Sequence, residues 1–102
     1  MRIKTYQTQA NSFRLPSAMS LEYAALGLCG EAGEVAEKIK KSIRDGHFNE
    51  EDVAKEIGDV LWYVAALCQS LNICMEVAAM NNILKLESRK ARNVLGGSGD
   101  DR

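Results

Sequence analysis

Two segments of this chain combine helical apolar periodicity with a pair of carboxylates three residues apart, and no other feature limits its fold as tightly. At about 100° per residue, Leu21, Ala25, Leu28, Ala32, Val35, Ile39 and Ile43 fall on one stripe, with Glu31, Glu34 and Lys38 along its shoulder. Further on, Val53, Ile57, Val60, Val64, Leu67 and Leu71 form a second stripe, shouldered by Glu56, Asp59 and Tyr63. Residues three apart share a helical face, so each pair sets two carboxylates at the border of a core-facing surface. Two such helices packed antiparallel bring four carboxylates to one edge of a bundle.

Four clustered anions repel one another, and partial burial raises the cost unless a cation or a proton neutralises them. A bound cation is therefore expected. An all-oxygen donor set suits a hard ion, Mg²⁺ or Mn²⁺, over zinc, which usually takes His or Cys. For either pair alone a solvated helix surface is the ordinary explanation. Two pairs, each on the shoulder of its own stripe, favour the site.

The remaining segments read as helix too. A short helix over roughly residues 2–12 carries Ile3, Tyr6 and Ala10 on one side and ends before Pro16. The second helix begins near Ser17 or Ser20 and stops at Asp45-Gly46, a C-cap signal. Asn49 is an N-cap candidate, followed by Glu50, Glu51 and Asp52 in the favourable first turn. The third helix runs to about Leu71 and the fourth over roughly 75–92. No alternating β-branched run or hairpin turn is present. The expected architecture is all-α, a bundle of four helices over 1–92, followed by a Gly-rich tail over 93–102 that is flexible by composition.

Composition excludes several functions. A net charge of −1 without a basic run lacks the footprint of a nucleic-acid binder. No apolar run approaches a membrane span, and the first residues lack a signal-peptide core, so a cytoplasmic chain is expected. Cys29, Cys68 and Cys74 form no Cys-x-x-Cys pair and read as small core residues. His47, the single histidine, falls in a turn and cannot build a two-histidine site.

The stretch Leu26-Gly-Leu-Cys-Gly-Glu-Ala-Gly-Glu-Val-Ala-Glu-Lys-Ile-Lys-Lys41, with Glu56-Ile-Gly-Asp-Val-Leu-Trp-Tyr63 after it, resembles the MazG-like all-α nucleoside triphosphate pyrophosphohydrolases. The likeness runs from about Tyr6 to Arg89, and the closing Gly97-Ser-Gly-Asp-Asp-Arg102 is similar to a Gly-x-Gly-Asp-x-Arg segment of some small family members, which implies a tail folded over the nucleotide as the alternative to plain disorder. That family's signature is Glu-Glu-x-x-Glu, a spacer, then Glu-x-x-Asp. Glu31 and Glu34 match its second and third acids, Glu56 and Asp59 its final pair, and Gly30 stands where the first acid is often found. The resemblance implies that these four acids hold Mg²⁺, with Mn²⁺ as a substitute. It further implies hydrolysis of a (deoxy)nucleoside triphosphate to monophosphate and pyrophosphate, and a homodimer or homotetramer whose subunits complete each other's sites.

On the fourth helix Asn82, Lys85 and Arg89 lie on one face. A triphosphate needs donors and positive charge opposite its metal, which makes this face a candidate polyphosphate clamp; the same residues on a solvated helix surface are the plain alternative. Lys38 is a candidate for phosphate contact or for balancing Glu34. Tyr63 is a further candidate for contact with substrate, and Trp62 suits an interface or a base-stacking wall. A non-catalytic helical module that dimerises and uses its acids to bind a partner is the competing reading, which the four acids intact at the family's positions oppose. A di-iron bundle is disfavoured because neither motif contains histidine.

Overall fold

The computed structural model describes residues 1–102, and every regular element in it is helical. The order is α1 (Ile3–Asn11), a single 3-10 turn (Pro16–Ala18), α2 (Leu21–Asp45), α3 (Glu50–Ser70) and α4 (Met75–Ala91). The all-α, four-helix reading of the sequence is thus met. Local chemistry sets the ends. Ser20 accepts from the Tyr23 N–H at 3.1 Å and starts α2. Because Pro16 opens the 3-10 turn, Ser17 is consumed there. Gly46, at φ 76°, closes α2 in the left-handed conformation that glycine adopts without strain. Asn49 caps α3 through the N–H groups of Glu51 and Asp52, with three acids in the first turn.

With only residues 46–49 between them, α2 and α3 fold back as an antiparallel hairpin and form the main packing unit. Polar side chains hold α1 on α3. Trp62 Nε1 donates to the Ala10 carbonyl at 2.9 Å, Asn11 Nδ2 to the Ala65 carbonyl at 3.2 Å, and Arg14 Nη1 to the Ala66 carbonyl at 3.2 Å. Ala65 and Ala66 are buried, and their small size allows the close approach. The half-buried Trp62 indole is thereby tied to α1.

Gln7 joins three elements. Its amide nitrogen donates to Gln69 Oε1 at 3.2 Å and to the Ile73 carbonyl at 2.9 Å, while its Oε1 accepts from the Met75 N–H at 2.8 Å. Cys74, the N-cap residue of α4, supplies no side-chain cap. Gln7 thus caps α4 from a different helix. The axis turns by 102° between α3 and α4, so α4 packs on α1 and α3 rather than on α2.

What this arrangement leaves uncovered is unusual. Only 7 of 102 residues are buried, and five of them are alanines. The radius of gyration is 16.4 Å, against about 13 Å for a compact domain of this length. The two apolar stripes, expected to lie in the core, are only partly covered: Ile43 is 79% and Ile57 49% exposed. Two helices can shield only the faces they turn toward each other, and α4 does not cover α2. Cys29 is exposed, with Cys68 and Cys74 half-buried, so the three thiols are not the core residues expected of them. No single helix is long and apolar enough to cross a membrane.

Replacing Gln7 with Leu keeps the volume similar, removes three hydrogen bonds and leaves the Met75 N–H without a partner. Urea unfolding should show a loss of about 1–3 kcal/mol. A loss under about 0.5 kcal/mol, the level of an ordinary surface change, would show that the cross-helix cap contributes little.

Candidate metal centre

The seam between α2 and α3 is drawn tight at one point. Gly27 lies under the ring of Tyr63, and a Cβ at that position would fall inside the ring's van der Waals surface. The Tyr63 ring meets Trp62 edge-on at 5.0 Å, which holds it from the other side. In antiparallel helices the contacts of the next turn follow from this one: four residues after Gly27 comes Glu31, and four residues before Tyr63 comes Asp59. Glu56, one i,i+3 step further back, shares that face. The bare glycine therefore fixes the register that sets the acids of one helix against those of the other.

Glu31, Glu56 and Asp59 converge, each offering a carboxylate oxygen, all within 4.8 Å of one another. Glu31 and Glu56 are half-buried, while Asp59 is exposed. Glu34 is exposed and lies outside that close set. Its charge still reaches Glu31, whose carboxyl is pushed above the usual range by loss of hydration and then by the charges of Asp59, Glu56 and Glu34. None of the four acids has an ion pair or a hydrogen bond to a basic side chain. An unneutralised, all-oxygen set fits a hard divalent cation, and a proton on Glu31 is the other means of relief.

The phenols nearest this charge respond to it. Burial raises the phenol of Tyr63, and Tyr23, Glu31 and Asp59 raise it further. Tyr6, on α1, is raised by burial and then by the charge of Asp59. By sequence Tyr6 falls on the apolar side of α1, and nothing in the sequence marks Tyr23. The signal that finds Tyr6 is the tie between Trp62 and Ala10, which brings α1 over α3 one turn from Asp59.

The other expected residues divide. Lys38 makes no ion pair, with Glu34 or with any other acid; it lines a shallow cleft at the hairpin end with Lys41, Asp45, His47 and Asp52. Lys85 and Arg89 come together on α4, and both meet Asp100 from the segment after the helix. Asn82 is exposed and has no side-chain hydrogen bond. Within one chain α4 does not pack against α2, which carries half of the acids.

Fold and site together define an all-helical protein built on a helical hairpin, with a carboxylate cluster of the kind a divalent cation neutralises. Residues 19–94 match the family model described as the MazG nucleotide pyrophosphohydrolase domain, and the chain belongs to that family. It is also similar to the "Gene 37 protein" of Mycobacterium phage L5, at 40% identity over 114 aligned positions that take in the whole of both chains. No solved structure matches it.

Gly27→Ala adds one methyl group beneath Tyr63. Alanine's better helix propensity, worth up to about 1 kcal/mol, acts against an overpacking cost of about 1–3 kcal/mol. Thermal unfolding should show a net loss, and divalent-cation affinity should fall as the helices part. Unchanged cation affinity in a folded Gly27→Ala protein would mean that this contact does not set the register of the acids.

Proposed function

We propose that the protein hydrolyses a (deoxy)nucleoside triphosphate to the nucleoside monophosphate and pyrophosphate, in the cytoplasm, as a house-cleaning or pool-controlling activity. The observation that carries this reading is the convergence of Glu31, Glu56 and Asp59 across the α2–α3 seam of a chain in the MazG family. Three free cysteines accord with a reducing compartment.

Glu31, Glu56 and Asp59, with Glu34 beside them, would hold Mg²⁺ or Mn²⁺, which supplies charge neutralisation at the phosphates and lowers the pKa of a water. In the proposed reaction the water oxygen attacks the α-phosphorus, the bond to the α–β bridging oxygen breaks, and pyrophosphate leaves. A carboxylate of the cluster takes the proton of the attacking water. Lys85 and Arg89 stabilise charge on the departing group. In this reading Tyr63, beside the acids, and Lys38, two turns from Glu31 toward the hairpin end, contact substrate.

This reading calls for a homo-oligomer, a dimer or a tetramer. A single copy leaves Leu26, Ile43, Ile57 and Leu84 at least 49% exposed, a level of apolar exposure that marks interaction surfaces. The clamp residues on α4 also lie away from the acids of α2, so a second copy is the natural source of the α4 that faces them. A non-catalytic module that dimerises and binds a partner through its acids is less well supported, because three of those acids converge on one another at the seam, two of them half-buried, instead of spreading over an exposed face.

The variants Glu56→Gln and Asp59→Asn preserve volume while removing one charge each. With a panel of NTPs and dNTPs and released pyrophosphate as the readout, Mg²⁺-dependent turnover should fall by orders of magnitude. The melting temperature of the metal-free protein should hold or rise, because repulsion in the cluster is relieved. Full turnover in a folded variant would refute the assignment.

A further inference from the structure

The Gly-rich segment after α4 is folded, and the contacts that fold it involve the clamp. Asn93, at φ 57°, ends the helix, and Gly97 and Gly99, at φ 96° and 89°, curl the chain back. The Arg102 guanidinium then ties the loop together, donating to the carbonyls of Val94, Leu95, Gly96 and Gly99. Arg92 closes the circle on the Arg102 main-chain oxygen at 3.0 Å. This closure delivers Asp100 to α4. Its carboxylate oxygen lies 3.0 Å from Lys85 Nζ and 3.2 Å from Arg89 Nη2, and its carbonyl accepts a second bond from the same Arg89 nitrogen.

The burial of the three partners is uneven. The Arg89 side chain is 7% exposed and Asp100 is 79% exposed. A buried guanidinium is costly unless its donors are satisfied, and Arg89 Nε has no partner at all. The cationic pair is thus a seat built into the fold, with an unspent donor, whose anion comes from the solvent side and can leave without opening the core. Lys85 and Arg89 hold the Asp100 carboxyl below its ordinary range by hydrogen bonds and charge, so the occupant is an anion at neutral pH.

We propose that residues 94–102 form a clasp whose Asp100 carboxylate occupies the anion seat of Lys85 and Arg89, and that a polyphosphate ligand takes that seat by displacing it. The main-chain bond from Arg89 to the Asp100 carbonyl can persist while the side chain swings out, so displacement need not unfold the clasp. The naming of the ligand class rests on the proposed function; the occupied seat does not. The clasp makes the chain its own competitive ligand. Free phosphate groups must outbid a tethered carboxylate, which has the advantage of high local concentration.

The test uses the full chain in EDTA, so that the acid cluster cannot recruit pyrophosphate through a metal. Titration calorimetry with inorganic pyrophosphate should show Asp100→Asn binding about 5-fold or more tightly than the unsubstituted protein, the scale of two partly exposed ion pairs. Adding Lys85→Met to Asp100→Asn should abolish the gain. Arg102→Ala, which opens the clasp without touching the seat, should tighten binding in the same direction and serves if Asp100→Asn folds poorly. Equal or weaker pyrophosphate binding in a folded Asp100→Asn protein, or in Arg102→Ala where Asp100→Asn does not fold, overturns the clasp. The two readings fail separately. Unaltered pyrophosphate binding in Asp100→Asn alongside normal triphosphate hydrolysis refutes the clasp alone. Tighter binding in a chain that hydrolyses no triphosphate supports the clasp and refutes the activity.

Discussion

Close approach of α2 to α3 at Gly27 is the constraint from which the site derives. Only a residue without a Cβ lets the Tyr63 ring lie against the helix backbone, and helical periodicity then carries that register one turn further, to Glu31 opposite Asp59. The acids are driven apart by their charges and held together by the packing of an aromatic ring on a glycine. A cluster that repels itself and has no basic partner is strongly biased toward a cation. The stability of the hairpin and the affinity of the site are consequently opposed in the metal-free protein and aligned once a cation is bound.

A second tension lies in the coverage. Five of the seven buried residues are alanines, and the large apolar side chains of both stripes keep much of their surface. At about 25 cal/mol per Å² of buried apolar surface, a helical domain this open has little hydrophobic stabilisation to set against its chain entropy. The polar ties of Gln7, Asn11, Arg14 and Trp62 fix where α1 lies, but they add little net free energy beyond satisfying groups they also desolvate. Covering the stripes with a second copy would supply the missing burial, and the outward turn of α4 leaves those faces open for it.

Much of this was legible in the chain itself. The i,i+3 acids, Ser20, Asp45-Gly46 and Asn49 speak through local geometry, which a sequence carries directly, and the helix ends fell within a few residues of where those signals put them. Of the four acids that the shoulder positions bring to one edge, Glu31, Glu56 and Asp59 converge and Glu34 stays outside the close set. Contacts that join distant positions were silent. Nothing in a lone Gln7 announces that it caps a helix beginning at Met75, and Trp62 reads as a free aromatic until α1 is laid across it. The Gly-rich segment shows the limit most clearly: its glycines imply flexibility, whereas a single arginine at position 102, satisfied by four carbonyls, turns it into a closed loop. Its bearing on Lys85 and Arg89 follows from that closure, not from composition.

Everything proposed for this molecule requires that three acids on two helices form one cation site. Crystals grown with Mn²⁺ and a non-hydrolysable triphosphate analogue, measured for anomalous scattering at the manganese edge, test it directly. A peak is expected within roughly 2.5 Å of carboxylate oxygens of Glu31, Glu56 and Asp59, with the analogue's phosphates on its far side. Manganese absent from that seam, or bound only elsewhere on the molecule, would contradict it.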